Sequence, residues 1–257
     1  MLSGLSVTTA SAAGFDHRPW DQLLKSHVEM QREGRASVVD YDGLSREHDD
    51  LKAYLEALSQ VTEAEFDHWS SDEQLAFLIN AYNAWTAELI LRAWPDLKSI
   101  KDLGSLLNSP WKQEFIPLLG QTRSLDDIEH HLIRSSDRYH DPRVHFAVNC
   151  ASIGCPALRA EAYSAAMLDR QLEEQTHRFL ADRTRNRPEG VVLKVSPIFK
   201  WYRQDFEKGW RGLHDLNAFF ERHAAALALS TEQLAALKSN SIDIEFLDYD
   251  WRLNAAG

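Results

Sequence analysis

The sequence predicts an α+β fold, helix-rich, with a small mostly antiparallel sheet. Three observations carry this. Segments with apolar residues at helical spacing dominate the first third of the chain. Short β-branched runs bounded by Gly or Pro, such as V-V-L-K-V at 191–195, come later and are mixed with helices. That order is not the regular strand–helix alternation of a parallel sheet. Finally, 257 residues with 44% apolar content and no repeat or linker suffice for one sizeable core.

Taken in order, 15–33 reads as a helix with Trp20, Leu23, Leu24 and Val28 on one stripe, ended by Gly34. A second helix is predicted over 44–59, and a short one starts at Thr62, where Glu65 completes a capping-box spacing. The longest apolar helix follows over 71–94, with Ser71 and Gln74 as its expected cap and Pro95 as its stop. It is apolar nearly all round and therefore central. Residues 115–125 read as a hairpin about Gly120-Gln121, followed by a helix beginning D-D-I-E-H-H. Further helices are expected over 164–183, 213–229 and 231–238, a turn over 186–190, and a final strand within 242–253.

The stretch V-H-F-A-V-N-C-A-S-I-G-C-P at 144–156 holds both cysteines. Its first half reads as a strand, which would put His145 and Cys150 on opposite faces. Its second half reads as a loop. Pro156 would suit the first turn of a helix, leaving Cys155 at the N-cap, where a thiolate is favoured. Nearby polar candidates are Asn80 and Asn83, which share a face of the long helix, and Glu129 and His130 on the next one. Adjacent histidines on a helix point about 100° apart, so only one of His130 and His131 is expected to face inward.

Net charge is −11, which argues against nucleic acid or an anionic membrane surface as partner. No transmembrane stretch, nucleotide-binding loop, zincin motif or nucleophile elbow is present. Three readings of the thiol and imidazole set stand. A cysteine is a nucleophile activated by His145 or His130 and oriented by Asn80, Asn83 or Glu129. Alternatively, Cys150, Cys155, His145 and His130 bind a soft or borderline metal such as zinc. Or the cysteines are bridged or packed and the histidines are structural.

Four motifs, F-L-I-N-A-Y-N-A at 77–84, L-D-D-I-E-H at 125–130, V-H-F-A-V-N-C-A-S-I-G-C-P at 144–156 and S-P-I-F-K-W-Y at 196–202, make the chain resemble the domain of unknown function 547 family over roughly 60–220. The resemblance implies that Asn80, Asn83, Glu129, His130, His145, Cys150 and Cys155 cluster in space, with His130 the inward histidine. It also implies a distant likeness to papain or transglutaminase folds, and export, as is typical of bacterial members. The start of the chain, ending in Ala10-Ser11-Ala12, resembles the tail of a signal peptide but lacks its basic region. The expectations are therefore a signal remnant or disordered tail over 1–13 and a single domain over 14–257, periplasmic or secreted, otherwise cytoplasmic. The function expected is a thiol-dependent hydrolase or acyl transferase on a small-molecule or peptide, amide-like substrate, with no cofactor. A metal- or thiol-ligand-binding protein and a structural disulfide domain are the alternatives.

Overall fold

The structure, a computed structural model, describes residues 14–105, 108–136 and 138–257. The expectation for 1–13 lies outside the described residues. Among those described, no helix is long and apolar enough to cross a membrane.

The central helix is Ser71–Leu91, and every residue from Gln74 to Leu91 is buried. An all-round apolar helix can satisfy itself only by being wrapped. Here the wrapping comes from Arg18–His27, His48–Gln60, Glu63–Asp67 and the hairpin of Ile116–Leu118 with Gln121–Arg123, all contributing to one hydrophobic cluster. The helix cap lies one residue earlier than expected. Ser70 Oγ accepts from Glu73 N, and the Glu73 carboxylate accepts from Ser70 N. That frees Gln74 to donate to Phe66 O, at the end of the preceding short helix. A second cluster is aromatic, built on Phe146, Phe179, Phe199, Phe206, Phe219 and Phe220. Phe146 belongs to this second cluster, whereas its neighbours Val144 and Ala147 belong to the first. The segment around 144–148 is thus the seam between the two.

The fold is α+β and helix-rich, as predicted. Its strands form two separate antiparallel hairpins and one three-stranded sheet of Arg187–Glu189, Val192–Val195 and Asp243–Phe246. Three of the four strand pairings among the described residues are antiparallel; Val192–Val195 and Asp243–Phe246 run parallel.

Several boundaries differ. The first helix ends at His27, and Val28–Gln31 turns into a hairpin with Ala36–Val39. The apolar stripe through Val28 therefore continues as a strand, and Gly34, with φ +86°, serves the hairpin turn rather than a helix end. The helix expected over 44–59 is two, Tyr41–Arg46 and His48–Gln60. The turn expected over 186–190 contains the strand Arg187–Glu189. The helix expected over 213–229 is broken into Leu216–Arg222 and Ala224–Leu227. Of the last predicted strand, Asp243–Phe246 is paired, and Phe246 is exposed.

The largest correction concerns 144–156. No strand forms there. Pro142–Phe146 is a turn of 3-10 helix whose N-cap, Asp141, accepts from Arg143 N, and the chain then runs irregularly to Pro156. No helix starts at Pro156 either, so the expected helix N-terminus at Cys155 is absent. The alternation of faces assumed for His145 and Cys150 does not apply. The loop is instead bonded along the C-terminal segment: Ile153 N donates to Arg252 O, Gly154 N to Asp250 O, and Asn254 N to Ala151 O. The same segment bonds Val39 through Asn254 O and Ala256 N, so it stitches the cysteine loop to the N-terminal hairpin.

Candidate functional site

Buried amide side chains take the place of a neighbouring strand along 147–163. Asn83 Nδ2 donates to Ala147 O at 3.0 Å while its Oδ1 accepts from Asn149 N at 2.8 Å. One turn away, Asn80 does the same with Tyr163, 2.8 Å to its O and 3.0 Å from its N. Asn149 then holds the loop from inside, donating to Pro156 O and accepting from Ala151 N. Gln175 Nε2, on the helix Leu168–Ala181, reaches Ala157 O at 2.7 Å. Backbone groups in a buried irregular loop must find partners, and these four side chains supply them. Asn80 and Asn83 thus hold the loop, and neither is among the residues lining the cavity described next.

That cavity, of about 200 Å³, opens where the two hydrophobic clusters meet. Its polar lining includes Asp126, Glu129, His130 and His145, and the Cys150–Cys155 pair forms part of its wall. Trp111, Trp201, Tyr249 and Trp251 also line it, with Tyr82 and Tyr202. The helix carrying Glu129 and His130, Asp127–Arg134, is wound as a π-helix. Its wider turn is a conformation often found at functional sites. Glu129 is buried, His130 is partly buried and His131 is 72% exposed, so His130 is the inward histidine as expected.

Cys150 and Cys155 form a disulfide. Cys155 is buried and Cys150 partly exposed. The Tyr249 hydroxyl lies over both sulfurs, 3.2 Å from Cys150 Sγ and 3.3 Å from Cys155 Sγ. Gly154 makes this possible. A Cβ there would lie 2.9 Å from the Tyr249 ring and 3.0 Å from Asp250 N, so a side chain would push the phenol off the bridge. Neither sulfur is hydrogen-bonded to an imidazole.

His145 is the most constrained titratable group in the cavity wall. Its Nε2 lies 2.8 Å from Asp205 Oδ2, and its ring stacks on Tyr202 with centroids 3.9 Å apart. Burial would raise the Asp205 pKa, but hydrogen bonds from His145 and Arg134, aided by Lys208, hold the carboxyl well below the usual carboxylate range. Asp205 is therefore an acceptor, so His145 Nε2 carries the hydrogen and donates it. Burial pushes the imidazole pKa down despite the Asp205 and Glu129 carboxylates, which keeps the ring neutral near pH 7. It follows that His145 Nδ1 presents a lone pair. That nitrogen has no hydrogen-bond partner, nor has Glu129 Oε1, which lies 4.0 Å from it. Arg134 Nη1 meets His130 Nδ1 at 2.5 Å and its Nε meets Asp205 at 2.5 Å, joining both histidines through one guanidinium. Burial, and then the Glu129 charge, raise the phenol pKa of Tyr82 and of Tyr202; for Tyr249 burial alone is the main cause.

The structure thus brings Glu129, His130, His145, Cys150 and Cys155 to one cavity and sets Asn80 and Asn83 behind it. Among the described residues no three His, Cys, Asp or Glu side chains converge to hold a metal ion, and bridged sulfurs are not thiolate ligands. Sequence reasoning missed Asp205, Arg134 and Tyr249. Tyr202 closes the motif S-P-I-F-K-W-Y, and Asp205 follows three residues later, across a short helical turn. That spacing was a usable signal. Tyr249 had none, because its role depends on the C-terminal segment lying against the cysteine loop.

What fold and site define together is a helix-rich α+β protein with a buried acid–imidazole pair facing a disulfide. Residues 66–180 match the model of the family described as protein of unknown function, DUF547. Three of the four motifs fall inside the match, while S-P-I-F-K-W-Y lies beyond it. No curated protein and no solved structure matches the chain.

Proposed function

We propose that the cavity is the active site of a hydrolase or acyl transferase acting on amide-like substrates, with His145 as general base and Cys150 as nucleophile once the bridge is reduced. One observation carries this. His145 lines the same cavity as Cys150, is fixed through Nε2 by Asp205, and has at Nδ1 a buried acceptor with no hydrogen-bond partner. That is the orientation logic of a catalytic imidazole: one nitrogen held by a carboxylate, the other free to take a proton. Of the two sulfurs, Cys150 is the accessible one, and the helix-terminus argument for Cys155 has no helix to rest on. In the reduced protein, the Cys150 thiol would give its proton to the imidazole and its sulfur would add to the substrate carbonyl. The leaving amine would take that proton, and water or an acceptor amine would release the acyl group. Reduction requires an external dithiol.

The formed bridge favours a second reading, in which the disulfide is structural and the cavity only binds. Turnover of a panel of p-nitroanilides and p-nitrophenyl esters, with and without dithiothreitol, separates the two. Turnover that appears on reduction and is lost in Cys150→Ala and His145→Ala supports the enzyme. Turnover in neither state, or turnover that persists in Cys150→Ala, removes the thiol mechanism.

A further inference from the structure

The acceptor pair at the cavity floor calls for a particular ligand chemistry. His145 Nδ1 and Glu129 Oε1 are both buried, both lack a partner, and are 4.0 Å apart. Two lone pairs that face each other without a hydrogen between them leave a cost that folding has not relieved. An atom at ordinary hydrogen-bond length from both, ~2.8 Å, would subtend roughly a right angle, which suits one nitrogen carrying several hydrogens. Among the described residues, no lysine or arginine lines the cavity, and its charged lining is acidic, Asp126 and Glu129. The Arg134 guanidinium nearby is taken up by His130 and Asp205. Aromatic rings complete the lining, and two of them already carry a cation: the Arg134 guanidinium lies 4.8 Å from the Tyr202 centroid, and Lys101 Nζ lies 3.6 Å from the centroid of the Trp251 ring. Acidic groups and π-faces in one lining together select positive charge.

We infer that this cavity receives a primary ammonium group borne on an alkyl chain, the nitrogen donating to both His145 Nδ1 and Glu129 Oε1 while Trp201 and Tyr249 flank the chain. The inference goes beyond the active-site reading, because an ammonium on Nδ1 takes the lone pair that reading assigns to the general base; it describes a ligand of the oxidised protein, held whether or not the reduced protein turns anything over.

The test is therefore binding to the oxidised protein, read by thermal shift and calorimetry with n-butylammonium chloride. n-Butanol, butyrate and tetramethylammonium serve as controls at matched ionic strength. The expected result is stabilisation by n-butylammonium well beyond that by any control. Glu129→Gln should weaken binding about tenfold or more, and Trp201→Ala, at a 47% exposed side chain, by a few-fold. Equal binding of n-butanol or tetramethylammonium, or none of n-butylammonium, would overturn the inference on the wild-type protein alone, even if Glu129→Gln fails to fold. Unchanged affinity in a folded Glu129→Gln protein would do so too. Ammonium binding without turnover would sink the enzyme reading and leave this one standing, and turnover without ammonium selectivity would do the reverse.

Discussion

Two sets of buried polar side chains lie on either side of the loop at 147–156, and they have opposite hydrogen-bond states. Asn80, Asn83, Asn149 and Gln175 spend both ends of their amides on backbone or are closely held by it. Glu129 and His145, a few residues away in space, each keep an acceptor unused. In sequence the two sets look alike: polar residues inside apolar runs. The difference teaches that burial of a polar group is not itself a functional sign. Where every donor and acceptor is matched, the residue is building the fold. Where a buried acceptor beside a cavity has no partner in the fold, as at Glu129 and His145, it is a candidate ligand group.

Substitution should separate these sets by the sign of the stability change. The largest effect is expected for Asn83→Ala. It strands Ala147 O and Asn149 N and opens a small void, so it should destabilise by about 4 kcal/mol, measured by urea unfolding. A loss below about 1 kcal/mol would mean the clamp is replaceable and the contrast is false. Next is the bridge. Cys150→Ser with Cys155→Ser closes no loop, and loop-closure entropy for so short a span predicts a loss of about 2 kcal/mol in the same assay.

Acid should act through buried imidazoles. Burial lowers the pKa of His17 from 6.5 to about 4, and burial also lowers those of His145 and His223. Unfolded, these rings take a proton near pH 6.5; folded, they resist it. Their contribution is thus fully present above pH 6.5 and is lost as pH falls from there toward about 4. The melting temperature should fall across that window, and His17→Gln should flatten the decline. The smallest effect, and the sharpest, belongs to Glu129→Gln. An amide nitrogen at that position can donate to His145 Nδ1, so the variant should gain up to ~1 kcal/mol. A marked loss would show that Glu129 is a structural group after all.

The extent to which the site could be read in advance follows from the same contrast. The central helix was legible because an unbroken apolar segment of its length has one solution, and its two asparagines were legible as an interruption of it. The set Glu129, His130, His145, Cys150 and Cys155 was legible as motif residues. The strand expected at 144–150 was not there because β-branched and aromatic residues favour a strand only if a neighbouring strand completes the ladder. Here Asn83 and Gln175 side chains supply those bonds, and a propensity scale does not register a side chain that substitutes for backbone. Asp205 pairs across 60 positions and only its place three residues after a motif marked it, while Tyr249 pairs across 94 and 99 positions with nothing to mark it.

The C-terminal stitch carries a practical consequence. The matched segment ends at residue 180, yet the carboxylate bonded to His145, four of the rings that line the cavity (Trp201, Tyr202, Tyr249 and Trp251) and the phenol over the disulfide come from beyond it. A fusion partner placed directly after Asn254 would pull on the strand of hydrogen bonds that keeps Tyr249 seated. The stretch that matches the family model is therefore shorter than the stretch that builds this cavity.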